Sequence, residues 1–170
     1  MKRNTLIAAV VVVIIVAVAG VYYVFNQGSN SGTLSMSVAD TPIANVSAAY
    51  LTFSQVQVHS ANSSSWETFN ISTQTINVYA VSVTNPAFLS TINLGAGKYT
   101  QIRLYIQNVT VVVNGISEKF TMASQYALIN HPFNISAHGT TKMTIDFSIS
   151  QSLNLQSMIF TPSVGTVTVS

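Results

Sequence analysis

The stretch KMTIDFSI, Lys142 to Ile149, sets Met143, Ile145, Phe147 and Ile149 on one side of an extended chain and Lys142, Thr144, Asp146 and Ser148 on the other. A repeat of two is the signature of a strand with one buried face, because successive side chains of a strand point to opposite sides of the sheet. The same reading applies to Ile102, Leu104 and Ile106 against Gln101, Arg103 and Tyr105, and to Leu34, Met36 and Val38 among small polar neighbours. Between Ala49 and His59 the apolar phase changes from Leu51 and Phe53 to Val56 and Val58. One extra residue in a β-bulge produces that change. Asn114-Gly115, set between Thr110 to Val113 and Ile116 to Met122, suits the positive-φ corners of a type I′ hairpin. Further breaks at Ala61 to Ser65, Asn85-Pro86, Gly95 to Lys98 and Asn130 to Pro132 divide the chain into eight to ten short strands, with one helical turn near Ala87. The expected fold is all-β, an antiparallel β-sandwich of immunoglobulin- or transthyretin-like architecture over residues 33–170.

Composition narrows the partners. The chain has 170 residues, of which 6% are charged, and no cysteine, so thiolate nucleophiles, thiolate metal sites and disulfides are excluded together. Beyond Lys2 and Arg3 the charges balance: Lys98, Arg103, Lys119 and Lys142 against Asp40, Glu67, Glu118 and Asp146. Four dispersed cations do not make the basic stripe that tracks phosphates, so nucleic acid is not an expected partner. The polar surface is left to Ser, Thr, Asn and Gln, which do not titrate.

From Leu6 to Phe25 the chain runs twenty residues without a charge. At about 1.5 Å per helical residue that is enough to cross a bilayer core of roughly 30 Å. Lys2 and Arg3 precede it and no cation follows until Lys98, so the positive-inside rule places the N-terminus in the cytoplasm and the rest outside. The expectation is a single-pass signal-anchor helix within residues 1–25, held in the lipid bilayer through Leu6 to Phe25, then a flexible linker at 26–32. Two other readings stay open. A signal peptide cut after Ala19 uses the small-x-small triplet Ala17, Val18, Ala19, and a pilin-type helix would lose only a short basic leader.

Residues 32–155 resemble the family called domain of unknown function 4382, found in exported or membrane-anchored proteins of archaea and bacteria. The pieces that carry the resemblance are GTLSMSVADTP from Gly32, AAYLTFSQVQVHS from Ala48 followed by Trp66, GKYTQIRLYI from Gly97, HPFNI from His131 and GTTKMTIDFSISQSL from Gly139. The resemblance implies a β-sandwich outside the membrane. It carries no catalytic, ligand or cofactor residue with it.

Catalysis needs a nucleophile with a base, or paired acids, held together. His59, His131 and His138 are the available bases, and none lies in a nucleophile-elbow sequence. A zinc site from these histidines with Asp40 or Asp146 is conceivable on ligand number alone, but the spacing follows no metal motif. His131, before Pro132, reads as a strand-entry residue. Asp40, before Thr41-Pro42, reads as the acceptor of an Asx-turn. Arg103 and Asp146 are expected on polar strand faces, where they could pair at little gain. Trp66 reads as a core-edge residue beside a turn, with a sugar-stacking platform as the alternative. Sequons for N-glycosylation occur at Asn45, Asn62, Asn70, Asn108 and Asn134. Asn62, in its Ser-rich loop, is the most accessible of them, and Asn108 the least if a sheet continues through it.

The functional expectation is a non-enzymatic glycoprotein module at the cell surface, without cofactor, acting in the envelope, in adhesion or in binding a cell-envelope or glycan ligand. Two alternatives belong to other classes. One is a subunit of a surface filament, pilin-like or linked by donation of Thr33 to Val38 to a neighbour. The other is a metal-dependent hydrolase using the histidines.

Overall fold

In the computed structural model the described residues are 30–40 and 46–170. The apolar segment Leu6 to Phe25, the Ala19 cleavage site and Asn45 lie outside them. Residues Ser31–Ser170 form one compact unit. The order of its strands is β1 Ser31–Asp40, β2 Val46–Ser60, β3 Trp66–Asn77, β4 Ala87–Gly95, β5 Gly97–Val113, β6 Ile116–Lys119, β7 Thr121–Met122, β8 Tyr126–Ile129, β9 Phe133–Ile135, β10 Thr140–Phe147, β11 Leu153–Asn154, β12 Ile159–Phe160 and β13 Val164–Val169. One helical turn, α1 Ile149–Ser152, and a 3-10 turn at Val78–Ala80 complete it. The fold is all-β, as the alternation required. The eight to ten strands expected become thirteen among the described residues, because two-residue ladders such as β7, β11 and β12 are too short to show a period.

Two principal sheets share the core. The smaller has the order β13-β10-β1-β4, and the larger runs β3-β2-β5-β6 with β8 and β9 also paired to β5. Strands β11, β12 and β7 form a minor sheet. Leu34, Met36, Val38, Met143, Ile145 and Phe147 from the smaller sheet share one buried cluster with Leu51, Phe53, Val56, Ile102, Leu104 and Ile106 from the larger. Phe53 meets Phe147 with ring centroids 5.8 Å apart. Each such fully buried side chain contributes about 1.5–3 kcal/mol of transfer free energy, which the ordering of the chain largely offsets.

The bulge in β2 is where the change of phase put it. Pairing with both neighbours shifts register between Phe53 and Gln55, so Ser54 is the extra residue that keeps Val56 and Val58 inward. The hairpin at Asn114-Gly115 also has the expected form: φ is 51° at Asn114 and 82° at Gly115, with Val113 opposite Ile116. Gly115 is needed for that angle, where a side chain would be strained.

Four expectations are corrected. The sheet is not wholly antiparallel, since β1 lies parallel to β10 from Thr33↔Thr140 to Asp40↔Phe147; alternation tells which face a residue takes and nothing about the direction of its neighbour. The helical turn lies at Val78–Ala80 and Ala87 instead opens β4, because the Ser82–Asn85 turn, closed by Asn85 N–H donating to the Ser82 carbonyl at 3.0 Å, delivers the chain already extended. Strand β10 stops at Phe147, and Ile149 is buried as the first residue of α1; one apolar residue two positions on does not distinguish a strand from a turn of helix. Ser31 and Gly32, assigned to the linker, are part of β1. Gly32 is buried there, and only glycine fits because a Cβ on it would stand 2.2 Å from the Ser136 carbonyl oxygen. Thr33 to Val38, considered as a donated strand, is paired on both sides within its own domain, to β10 and to β4.

Candidate functional site

The structure keeps the candidate catalytic residues apart. His59 is the last residue but one of β2, its Nδ1 3.1 Å from Thr100 Oγ1. His131 lies between β8 and β9 beside a cavity of about 230 Å³ lined also by Leu128, Asn130, Val164 and Gly165. His138 sits in the turn before β10 with φ at 59°, its N–H donating to the Ser31 carbonyl at 2.8 Å. Among the described residues no three of His, Asp and Glu come together as metal ligands. The histidines therefore do not converge with Asp40 or Asp146.

Asp40 has a partner the sequence did not suggest, and Arg103 departs from its sequence reading. Asp40 is buried, and its Oδ1 accepts the Ile149 N–H at 3.2 Å, tying the end of β1 to α1 across 109 positions of sequence. The Asx-turn read at Asp40 involves residues 41–45, which lie outside the described residues. Arg103 does not pair with Asp146. It stands in β5 of the larger sheet, Asp146 in β10 of the smaller, and its guanidinium lies 3.9 Å from the centroid of the Trp66 ring. Asp146 is packed beneath Gly165, and its Oδ1 is buried without a hydrogen-bond partner.

Trp66 is the larger correction. It is opposite His59 in the β2–β3 ladder, and because Val58 points into the core, His59 and Trp66 point out. The indole is thus half-buried on the outer face of the larger sheet. His59 meets it edge-on at 5.2 Å.

Cross-strand register extends this contact into a strip. Gln57 lies between Thr68 and Arg103, and Arg103 is opposite Leu128. One step along, Gln55 lies between Asn70 and Tyr105, and Tyr105 is opposite Tyr126. The two tyrosine rings are 5.3 Å apart and tilted, with Arg103 5.9 Å from the Tyr126 ring. Carboxamides connect the rows: Gln57 Nε2 donates to Gln55 Oε1 at 3.3 Å, Gln55 Nε2 to Asn70 Oδ1 at 3.3 Å, and Gln101 Nε2 to Asn130 Oδ1 at 2.6 Å. Stacking of Arg103 on the indole contributes about 0.5–1 kcal/mol at such an exposed site and fixes the ring. The face offers aromatic surface, paired donors and acceptors, and one permanent charge.

A second concavity separates the edge strands of the two sheets, where Thr68 to Ser72 of β3 face Ser90 to Asn93 of β4 across about 570 Å³. Gln74 bridges it by donating from Nε2 to the Leu89 carbonyl. Tyr99, between the sheets, donates its hydroxyl to the Gly95 carbonyl at 3.0 Å. Burial first, and Glu67 second, raise its phenol above the ordinary tyrosine value.

The sequon asparagines Asn62, Asn70, Asn108 and Asn134 are all exposed. Asn62 lies in the 61–65 turn as read. Asn108 is reachable although it sits inside β5, because the register shift between Thr52 and Phe53 leaves Gln107 unpaired beside it and the flanking strands β6 and β8 pair β5 only on either side of it.

Geometry defines the class first: an all-β domain of two principal sheets with an open aromatic and amide face. The chain belongs to the family described as "Domain of unknown function (DUF4382)", whose match covers residues 31–162. That span holds every strand from β1 to β12 and the whole of the strip. No curated protein and no solved structure matches the chain.

Proposed function

We propose that this chain is a non-catalytic binding module displayed outside the cell, an immunoglobulin- or transthyretin-like sandwich that presents the outer face of its larger sheet to an envelope or adhesion ligand. The observation that carries the reading is the strip itself. A solvated sheet face has no structural need of Trp66, Tyr105, Tyr126 and Leu128 together, and Leu128 is 42% exposed there. Aromatic residues enriched on an exposed face with few charges are the composition of contact surfaces. The N-terminal run Leu6 to Phe25 supports display by a single-pass anchor, with the N-terminus in the cytoplasm.

Retention on isolated envelope fragments tests this. The full chain, kept in detergent so that Leu6 to Phe25 is shielded, should sediment with lipid-extracted fragments prepared from its own cells, and Trp66→Ala together with Arg103→Ala should weaken that retention about tenfold, near 1.4 kcal/mol. Equal retention of the variant would remove the strip from the reading, and no retention of the parent would remove the binding role.

A further inference from the structure

Resting on that reading, we infer that the ligand of the strip is an extended neutral glycan. Shape is the first argument. Trp66 on β3 and Tyr105 on β5 are separated by two strand steps and by four residues along the ladder. With strands about 4.8 Å apart and about 3.4 Å per residue, the two backbone positions stand roughly 16 Å from one another, and Arg103 and Tyr126 fill the interval between the two rings. A ligand that touches both is long and lies across a flat face, which a chain of sugars does and a single small molecule does not.

Chemistry is the second. Sugar hydroxyls donate and accept at once, and so do the carboxamides of Gln55, Gln57 and Gln101, the matching inventory for neutral hydroxyl groups. The C–H faces of pyranose rings are apolar and settle on aromatic rings that have a polar tip, as Trp and Tyr have. Charge is the third. Arg103, already engaged over Trp66, is the permanent charge of the strip. Nucleic acid or an anionic membrane would need several cations in a row, and a protein partner would need an apolar centre larger than Leu128 provides.

The chain has one tryptophan, so its emission reports on this face alone. The full chain, made in a host without N-glycosylation so that Asn70 at the margin of the strip is bare, is titrated with a soluble β-glucan, a soluble α-mannan and, separately, polygalacturonate. The expected result is a saturable change in emission with a neutral polysaccharide and a dissociation constant raised about tenfold by Tyr105→Ala or Gln57→Ala. Both are surface positions, and unchanged thermal melting verifies that the variants are folded. A response to polygalacturonate alone overturns the neutral class. No response to any of the three, with envelope retention still dependent on Trp66 and Arg103, overturns the glycan while the binding role stands. No response and no retention overturns both.

Discussion

Deleting Ser54 should be better tolerated than deleting Gln57, three positions further on. In the β2–β5 ladder Phe53 faces Ile106 and Gln55 faces Tyr105, so Ser54 is opposite no residue of β5. Its removal joins Phe53 to Gln55, and both strands then run on in step with Val56 and Val58 still buried. The cost is the local twist of the bulge and adjustment of the unpaired residues 71–73 of β3, which lie on a sheet edge. We expect less than about 1.5 kcal/mol. Deleting Gln57 has the opposite effect on phase. Val58, fully buried, would move opposite Arg103 on the outer face, and His59 would move opposite Ile102 in the core. Exposing the valine costs about 1.5 kcal/mol, and burying an unpartnered imidazole a further 1–3 kcal/mol or so. The sum is about 3–5 kcal/mol, a large part of the stability of an ordinary domain. Thermal melting followed by circular dichroism reads the difference: within about 5 °C of the parent for the Ser54 deletion, and roughly 10–20 °C lower for the Gln57 deletion. If the Ser54 deletion lowers the midpoint as far as the Gln57 deletion, side-chain phase is not what fixes β2 in the sheet.

Two further outcomes follow from packing and burial. Gly32→Ala places a methyl group 2.2 Å from the Ser136 carbonyl and 3.0 Å from the Gly139 carbonyl, backbone atoms of the turn before β10, so that turn or β1 must shift and urea denaturation should show a loss of about 1–3 kcal/mol; an unchanged midpoint would mean that the start of β1 is not packed as described. Because Tyr99 is raised by burial and by Glu67, its unfolded form ionises first, near pH 10, while the folded form keeps its proton. Its contribution to stability is complete below that pH and is lost as pH climbs toward the folded value. Tyr99→Phe should make the alkaline fall in melting temperature shallower than in the parent, and identical slopes would refute the assignment.

Faces were legible in the sequence and neighbours were not. Alternation correctly put Ile102, Leu104 and Ile106 inside, and Met143, Ile145 and Phe147 with them. It put Gln101, Arg103 and Tyr105 outside, and the phase change in β2 and the Asn114-Gly115 corner were both readable because each is a local property of consecutive residues. What lies beside Arg103 is not local. Its approach to Trp66 depends on the register of β3 against β2 and of β2 against β5, and both ladders slip at Phe53. For that reason Trp66 read as a core edge, and Tyr126 and the glutamines did not register as a site. Asp40 shows the same limit, since nothing in its neighbouring residues points to the Ile149 N–H, 109 positions away, as a partner. The signal that could have been followed was the polar phase itself: aromatic residues in the outward half of an alternating strand have no core to serve.

The place of β1 has a consequence in time. It is the first strand of the domain and an interior one, and its parallel partner at Thr140 follows Thr33 by 107 residues. At about 5–20 residues per second of synthesis, β1 waits roughly 5–20 s for β10 to exist. Until then Leu34, Met36 and Val38 have no second sheet neighbour, and the antiparallel contact with β4 is the one they can rehearse. Closing so long a loop late makes non-local pairing the slow step of folding. Truncation before Thr140 therefore leaves a chain with its central strand half paired, open to other chains rather than to water alone.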